Sequence, residues 1–185
     1  MHTNAYQGFM RHIAPRVASG MRVLEISPAR RVYQKALRSV GVTPDYWVAS
    51  PGYGEGDHIV AMPGEYRLDC PDGSFDAVWS SSVLEHVRRP WLWIPELARV
   101  VRPGGFVGVI SPITWEEHRV RGPGGRCDAW RIMPDGMRAL FEDAGLVAEV
   151  IVAVSTKEDT EKELASNRGP AIDLASVGRK PLGAA

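Results

Sequence analysis

The fold is decided by residues 71–86, which read PDGSFDAVWSSSVLEH. Phe75 to Trp79 is a short apolar run with aromatic and β-branched residues, and a Pro-Asp-Gly turn precedes it. Such a run is typical of a parallel-sheet strand that is buried on both faces. The serines at positions 80–82 are predicted to supply N-cap oxygens for a helical turn that follows.

A helix and a second strand come next along the chain. Residues 95–102 have a helical pattern with Pro95 at the first position, where its missing N–H costs nothing. The Pro-Gly-Gly at 103–105 is predicted to end this helix, and Phe106 to Ile110 is a second buried strand. Strand, crossover helix and strand with tight turns make a βαβ unit, which is right-handed by default.

Two longer stretches carry a family resemblance. PDGSFDAVWSSSVLEHV, followed by ELARVVRPGGFVGVISP, closely resembles strands four and five of class I S-adenosylmethionine (SAM)-dependent methyltransferases of the type 11-like group. The resemblance implies an α/β fold, namely a Rossmann-like three-layer sandwich. Its sheet would have seven mostly parallel strands with an antiparallel last strand. It also implies S-adenosyl-L-methionine as the cofactor.

Composition and charge narrow the class of protein. The chain has 185 residues, 44% hydrophobic and 24% charged, which suits one domain spanning residues 1–185. A formal net charge of zero gives no sign of a nucleic-acid or membrane surface. Two cysteines without metal spacing, and no apolar leader, predict a cytoplasmic protein with free thiols.

The remaining helices and strands are predicted from the hydrophobic periodicity and from the positions of glycine, proline and other turn residues. Residues 1–20 are predicted to form a lid helix over the cofactor, with a helix that merely covers a sheet edge as the alternative. The segment 155–170 is polar and is predicted to be a flexible loop. Further strands are predicted at 21–27, 45–50, within 58–68, at 146–154 and at 171–180, and further helices at 29–40 and 134–144.

The family resemblance places the cofactor site at the carboxyl ends of the first strands. Glu25 keeps the acid of the family's first motif, but Ser27 and Ala29 stand where the family has glycines. Ser50 replaces the usual ribose-binding acid, for which Glu55 or Asp57 could substitute. Two further cofactor contacts are assigned to Glu65, on the adenine side, and to Ser81. A scaffold that no longer binds SAM is the alternative.

The acceptor side begins at Glu85-His86, within the family's leucine-glutamate-histidine motif. His86 is predicted to act as general base for a hydroxyl acceptor, and a hydrogen-bonded histidine that shapes the helix start is the alternative. Some relatives bind a divalent metal through a Glu-x-x-Glu-His pattern. Because Ser82 stands in place of the first glutamate, no metal is expected.

Residues 111–133 form a long connection that is predicted to be the acceptor lid. Trp115 and Trp130 are predicted to stack on a ring, Arg131 to hold an anionic group, and His118 to be a second candidate base. The pattern resembles a subset of these enzymes linked with saccharide and natural-product pathways. The alternative is that Trp130 and Arg131 pin the loop to the core.

These residues together predict a SAM-dependent methyltransferase that methylates a small polar acceptor, most simply at oxygen, in saccharide or natural-product metabolism. Methyl transfer is an in-line displacement, so positioning two reactants is the main task of the protein. The alternative is a degenerate methyltransferase-fold protein that serves as a partner subunit or binds another ligand. A homodimer or a complex with a partner methyltransferase subunit is compatible with both.

Overall fold

A computed structural model describes residues 3–26, 31–50, 58–60, 62, 64, 66–115, 117, 128–156 and 172–183. Within these residues the chain forms one six-stranded sheet with the order β2-β1-β3-β4-β6-β5. The strands are β1 (Arg22–Ile26), β2 (Asp45–Ala49), β3 (Phe75–Ser81), β4 (Val101–Pro112), β5 (Val147–Val154) and β6 (Asp173–Arg179). The first four strands pair in parallel, and β6 is antiparallel to both β4 and β5.

Helices cover both faces of the sheet. They are α1 (Thr3–Gly8), which continues into a π-helical turn (Phe9–Ile13) and a 3-10 turn (Ala14–Arg16), then α2 (Val32–Ser39), a 3-10 turn (Leu84–His86), α3 (Pro90–Val100) and α4 (Pro134–Asp143). In the described part of the chain, no helix has the length and apolar character needed to cross a membrane.

Each face of the sheet has its own apolar core. On one face, Ile94 and Leu97 of α3 and Phe141 of α4 are buried against strand residues such as Val78. On the other face the N-terminal segment is buried, and Phe9, Ile13 and Val17 form the predicted apolar stripe. The contact is close, since a Cβ atom at Gly108 of β4 would lie 2.7 Å from the Ile13 side chain. The function of residues 1–20 as a cofactor lid stays a prediction.

The seven-strand prediction was wrong, because the described residues form six strands. The segment predicted to hold a further strand, within 58–68, gives only an isolated parallel bridge between Ile59 and Val48 and a second bridge between Gly64 and Arg67. His58 has a left-handed φ of 61° and so interrupts the extended conformation immediately before Ile59. The antiparallel last strand is confirmed.

The βαβ unit is present, but its crossover helix begins earlier than predicted. It starts at Pro90, which occupies the first turn, so Pro95 lies inside the helix rather than at its first position. The helix ends at Val100, and the Pro-Gly-Gly at 103–105 lies within the span of β4. Pairing between β3 and β4 is irregular there, and Gly105 lies so near Asp76 that a Cβ atom would be 2.5 Å from its carbonyl oxygen.

The serine caps were also predicted wrongly. β3 continues to Ser81, and Ser82 adopts a left-handed φ of 53° that turns the chain. The following 3-10 turn begins after Val83 and has no side-chain cap. The serines therefore end the strand rather than start the helical turn.

Candidate active site

Two polar clusters lie where the parallel strands end, the edge at which open α/β sheets bind ligands. The first, called here the tyrosine cluster, consists of Glu25, Tyr33, Tyr46 and Ser81. The second, called here the histidine cluster, consists of Glu85, His86, Asp128 and Arg131. Glu25 is the penultimate residue of β1, Ser81 ends β3, and Glu85 and His86 lie in the turn after β3.

The tyrosine cluster is enclosed by aromatic side chains. The Tyr46 hydroxyl donates to Glu25 Oε2 at 2.5 Å, and the Tyr33 hydroxyl lies 2.7 Å from Ser81 Oγ. The Phe9 ring stacks on Tyr33 with centroids 4.0 Å apart, and the Trp79 ring meets Tyr46 edge-on at 5.6 Å. Glu25 is only 3% exposed, so its carboxyl group depends on Tyr46 for solvation.

Burial controls the ionisation of this cluster. It raises the pKa of Glu25 to about 7, although the hydrogen bond from Tyr46 and the Arg31 charge oppose the change. Burial and the neighbouring carboxylate also raise the pKa of Tyr46, which stays a neutral donor. Glu25 therefore changes charge near neutral pH.

The structure places some of the predicted cofactor residues here. Glu25 and Ser81 belong to the tyrosine cluster, and Ser50 is half-buried directly after β2. Ser27, Ala29 and Glu65 lie outside the described residues, as do the alternative acids Glu55 and Asp57. The binding roles of all these residues stay predictions.

Sequence reasoning missed Tyr33 and Tyr46. Both lie at positions where the helical or strand pattern expects an apolar residue, and both are buried as that pattern requires. Only their hydroxyl groups distinguish them from core residues, and no pattern in the chain indicates which polar groups those hydroxyls meet.

The histidine cluster is built from charged side chains. His86 Nδ1 lies 3.1 Å from Asp128 Oδ1, and His86 Nε2 lies 3.9 Å from Glu85 Oε1. The Arg131 guanidinium holds the other Asp128 oxygen, with 2.5 Å between Nη2 and Oδ2, and donates to the Trp115 carbonyl at 3.0 Å. The side chains of Asp128 and His86 are 3% and 13% exposed.

Backbone hydrogen bonds hold both ends of the predicted lid. At its returning end, the Ala129 amide donates to the Glu85 carbonyl at 2.6 Å. At its outgoing end, the Ile113 amide donates to the Ile172 carbonyl at 2.8 Å, and Thr114 Oγ1 accepts from the Ile172 amide at 2.9 Å. His118 lies between these ends, outside the described residues.

Glu85 is the most buried acid of the histidine cluster, with 2% of its surface exposed. Burial raises its pKa to about 8, and the negative charges of Asp128 and Asp173 add to the increase. Its Oε2 atom has no hydrogen-bond partner among the described residues. Within the same residues, no group of three His, Cys, Asp or Glu side chains is arranged to hold a metal ion.

An exposed apolar patch adjoins the histidine cluster. Trp91, in the first turn of α3, meets Trp130 edge-on with ring centroids 5.8 Å apart. The two residues are 50% and 36% exposed, and Leu92 and Met133 are exposed beside them in the chain. Trp115, by contrast, is only 9% exposed. Sequence reasoning missed Trp91, since a tryptophan in an apolar helix is usually a core residue.

The fold is that of SAM-dependent methyltransferases. A chain in the complex between the Haloferax volcanii Trm112 methyltransferase activator and a proposed methyltransferase superposes with a TM-score of 0.72 at 19% identity, covering 98% of this chain and 90% of that one. A SAM-dependent methyltransferase from Methanosarcina mazei gives a TM-score of 0.66 at 14% identity, with coverages of 93% and 98%. At these identities the likeness concerns the fold alone.

Sequence comparison identifies the family. The family described as methyltransferase domain matches residues 11–109, just over half of the chain, and the protein belongs to this family. An uncharacterized methyltransferase of Mycobacterium sp. strain JLS is 39% identical over 84 residues, which is 44% of this chain and 32% of that protein. One from Mycobacterium avium strain 104 is 33% identical over 108 residues, with shares of 53% and 42%. The chain thus spans less than half the length of these relatives.

Proposed function

We propose that the protein transfers a methyl group from SAM to a hydroxyl oxygen of a small polar acceptor, of the kind found in saccharide or natural-product metabolism. The observation that carries the proposal is the histidine cluster at the carboxyl edge of the sheet. There an imidazole lies beside a buried aspartate and adjoins an exposed pair of tryptophans. This arrangement suits removal of a proton from a hydroxyl group on a ring-bearing acceptor.

The residues at the ends of β1, β2 and β3 suit SAM in chemical type. Glu25 offers a carboxyl group for loop amides or the ammonium group of the methionine moiety, and Ser50 and Ser81 offer hydroxyls. Ser27, Ala29 and Glu65 complete the proposed set. When bound, SAM supplies an electrophilic methyl group on a sulfonium centre. With a serine at position 50 in place of an acid, one charge-assisted contact to the ribose is lost, which weakens binding by roughly ten- to a hundredfold.

The acceptor contacts are proposed to come from the histidine cluster and its surroundings. His86, or His118 in its place, takes the hydroxyl proton as the oxygen attacks. Trp130, with Trp91, provides a surface for a sugar or aromatic ring, and Trp115 and Arg131 shape the same side of the site. Because the displacement is in-line, holding the oxygen and the methyl carbon together supplies most of the acceleration.

Transfer of a radiolabelled methyl group tests this proposal. The full chain would be incubated with SAM labelled in the methyl group and with a panel of sugars, sugar nucleotides and phenols, and S-adenosylhomocysteine would be measured as the second product. Label in an acceptor, lost in His86→Gln, supports the proposal. Absence of transfer to the whole panel, in a chain that binds SAM, would contradict small-molecule methylation.

The second candidate function is that of a partner subunit. One observation favours it: a structural neighbour comes from a complex between a methyltransferase activator and a proposed methyltransferase. The absence of glycine from residues 27–31 of the sequence is compatible with it as well. The two candidates differ in SAM binding by the isolated chain, which calorimetry measures directly.

A further inference from the structure

We propose that the open pocket between α2 and the start of β2 is an anion site that binds a diphosphate group. The pocket has a volume of about 280 Å³, and its lining includes Arg31, Gln34, Arg38, Asp45 and His58. This space is slightly smaller than the pockets that enclose drug-sized ligands, so it suits a small ionic group or one end of a larger molecule. Binding at this pocket is independent of the proposed methyl transfer.

One face of α2 supplies the cationic side of the pocket. Arg31 directly precedes the helix and Arg38 lies in its last turn, with Gln34 between them. Residues at positions i, i+3 and i+7 of a helix share a face, and seven residues rise by about 10 Å. Two guanidiniums at this spacing can hold the two ends of an anion that is longer than a single phosphate, and the Gln34 amide can donate between them.

These donor groups are available to a ligand. Arg31 and Arg38 are exposed, and neither guanidinium forms a hydrogen bond or an ion pair with another of the described residues. Gln34 is only 9% exposed, yet its side-chain amide has no hydrogen-bond partner in the same part of the chain. A buried polar side chain requires a partner, which a bound oxyanion would supply.

The acid of the pocket is already paired. Asp45 accepts hydrogen bonds from Arg22 Nε at 2.8 Å and from Trp47 Nε1 at 3.0 Å. His58 Nε2 lies 3.2 Å from the same carboxylate. Because Arg22 neutralises Asp45, the two guanidiniums of α2 leave the pocket with an excess of positive charge. Such a pocket favours an anion with more than one negative charge, and a diphosphate group is of this kind.

The pocket adjoins the tyrosine cluster. Tyr46 contributes to the lining of the pocket, and its hydroxyl donates to Glu25. Burial raises the pKa of Glu25, and the charge of Arg31 opposes that increase, so Arg31 acts on both places. SAM carries no phosphate, and a diphosphate group in the pocket would therefore belong to a second ligand.

Calorimetric titration of the full chain with sodium pyrophosphate tests the proposal, at constant ionic strength and without divalent cations. Pyrophosphate should bind at one site per molecule, and inorganic phosphate should bind about tenfold or more weakly because it meets fewer donors. Arg31→Gln and Arg38→Gln should each weaken pyrophosphate binding by about ten- to a hundredfold, since each variant loses one charge-assisted contact. Lys35→Gln is the matched control, because it removes the same charge from an exposed position of α2 outside the pocket lining.

The control variant Lys35→Gln should bind pyrophosphate as the wild type does, and Arg38→Gln should keep the Kd for SAM within about twofold. A titration without saturable binding of pyrophosphate would overturn the proposal. So would equal losses in Lys35→Gln and Arg38→Gln, or an affinity for inorganic phosphate equal to that for pyrophosphate. Displacement of pyrophosphate by SAM would also overturn it, since the pocket would then be part of the cofactor site. If pyrophosphate binds as expected but no acceptor is methylated, the proposed function fails and the anion site stands.

Discussion

The tyrosine and histidine clusters lie at the same edge of the sheet and each contains one deeply buried glutamate, yet they are built differently. Glu25 accepts a hydrogen bond from a phenol and is enclosed by aromatic rings. Glu85 lies among Asp128, Asp173 and Arg131 and adjoins an exposed pair of tryptophans. The first arrangement closes a core around one acid, whereas the second keeps charged groups beside an open surface. We therefore propose that the acceptor reacts at the histidine cluster.

The departures from the family pattern lie on the side of the first cluster. Ser27 and Ala29 follow β1 in the sequence, and Ser50 follows β2. The charged residues of the histidine cluster, by contrast, are all described by the structure, and His86, Asp128 and Arg131 lie in direct contact. We therefore expect that SAM binds weakly to this protein, and that variants of the two clusters differ in their effects on SAM binding and on methyl transfer.

The largest effect is expected from Glu25→Ala, which should eliminate measurable SAM binding. The same change leaves the buried Tyr46 hydroxyl without its acceptor and should lower the free energy of unfolding by about 1–3 kcal/mol. Calorimetry with SAM and urea unfolding measure the two effects. Tyr46→Phe is the matched control, because it removes the hydrogen bond but keeps the carboxyl group and should retain binding. Normal SAM affinity in Glu25→Ala would show that the carboxyl end of β1 is not the cofactor site.

The next largest effect is expected at the histidine cluster. His86→Gln should lower methyl transfer by about a hundredfold or more and leave the Kd for SAM unchanged, because the imidazole is needed only when the proton leaves the acceptor. His118→Gln, compared under the same conditions, shows which of the two histidines is the base. Near-native turnover in both variants would leave positioning as the only source of catalysis.

A smaller effect concerns the pH dependence of stability. Burial raises the pKa of Glu25 to about 7 from 4.5, so the folded state binds its proton more tightly than the unfolded state. This contribution to stability, about 3 kcal/mol, is complete below pH 4.5 and is lost as the pH rises to about 7. Glu25→Gln should remove this part of the pH dependence in urea unfolding. The Glu25→Gln variant should still lose some stability as the pH rises to about 8, because burial also raises the pKa of Glu85 to about 8. A wild-type stability that rises from pH 4.5 to 7 would contradict the burial argument.

The smallest effect is expected at the exposed tryptophans. Trp91→Ala and Trp130→Ala should each raise the KM for a ring-bearing acceptor by about three- to tenfold, because an aromatic contact contributes roughly 0.5–1.5 kcal/mol. In the double variant the free-energy effect on KM should be smaller than the sum of the two single effects, since the two rings are in contact. Leu92→Ala is the control for loss of exposed apolar surface alone. Equal KM values in all three single variants would place the acceptor elsewhere.

Much of the fold was predictable from the sequence, because hydrophobic period and turn residues are local signals. Phe75–Trp79 and Phe106–Ile110 lie within β3 and β4, and the antiparallel strand at the end of the chain is present. The start of α3 and the number of strands were not predictable in this way. The helix start was ambiguous because Pro90 and Pro95 are both acceptable in a first helical turn. The strand count was not predictable because nothing in the sequence indicates that His58 adopts a left-handed conformation.

The candidate site was predictable only in part. His86, Trp130 and Arg131 could be selected by residue type and position, and the structure brings all three to the same cluster or its border. Their partners could not be selected, since Tyr46, Trp91 and the pairing of Asp128 with His86 depend on contacts between distant parts of the chain. A sequence shows which residues are reactive, but a buried partner is found only once the strands are in register.

Titration of the isolated chain with SAM by calorimetry tests the central claim, that this methyltransferase fold still binds its cofactor. We expect saturable binding at one site, with S-adenosylhomocysteine competing for it. Ser50→Asp, which restores a carboxylate directly after β2, should tighten binding by roughly ten- to a hundredfold. A flat titration at millimolar SAM in both the wild type and Ser50→Asp would contradict the claim and leave the partner-subunit function.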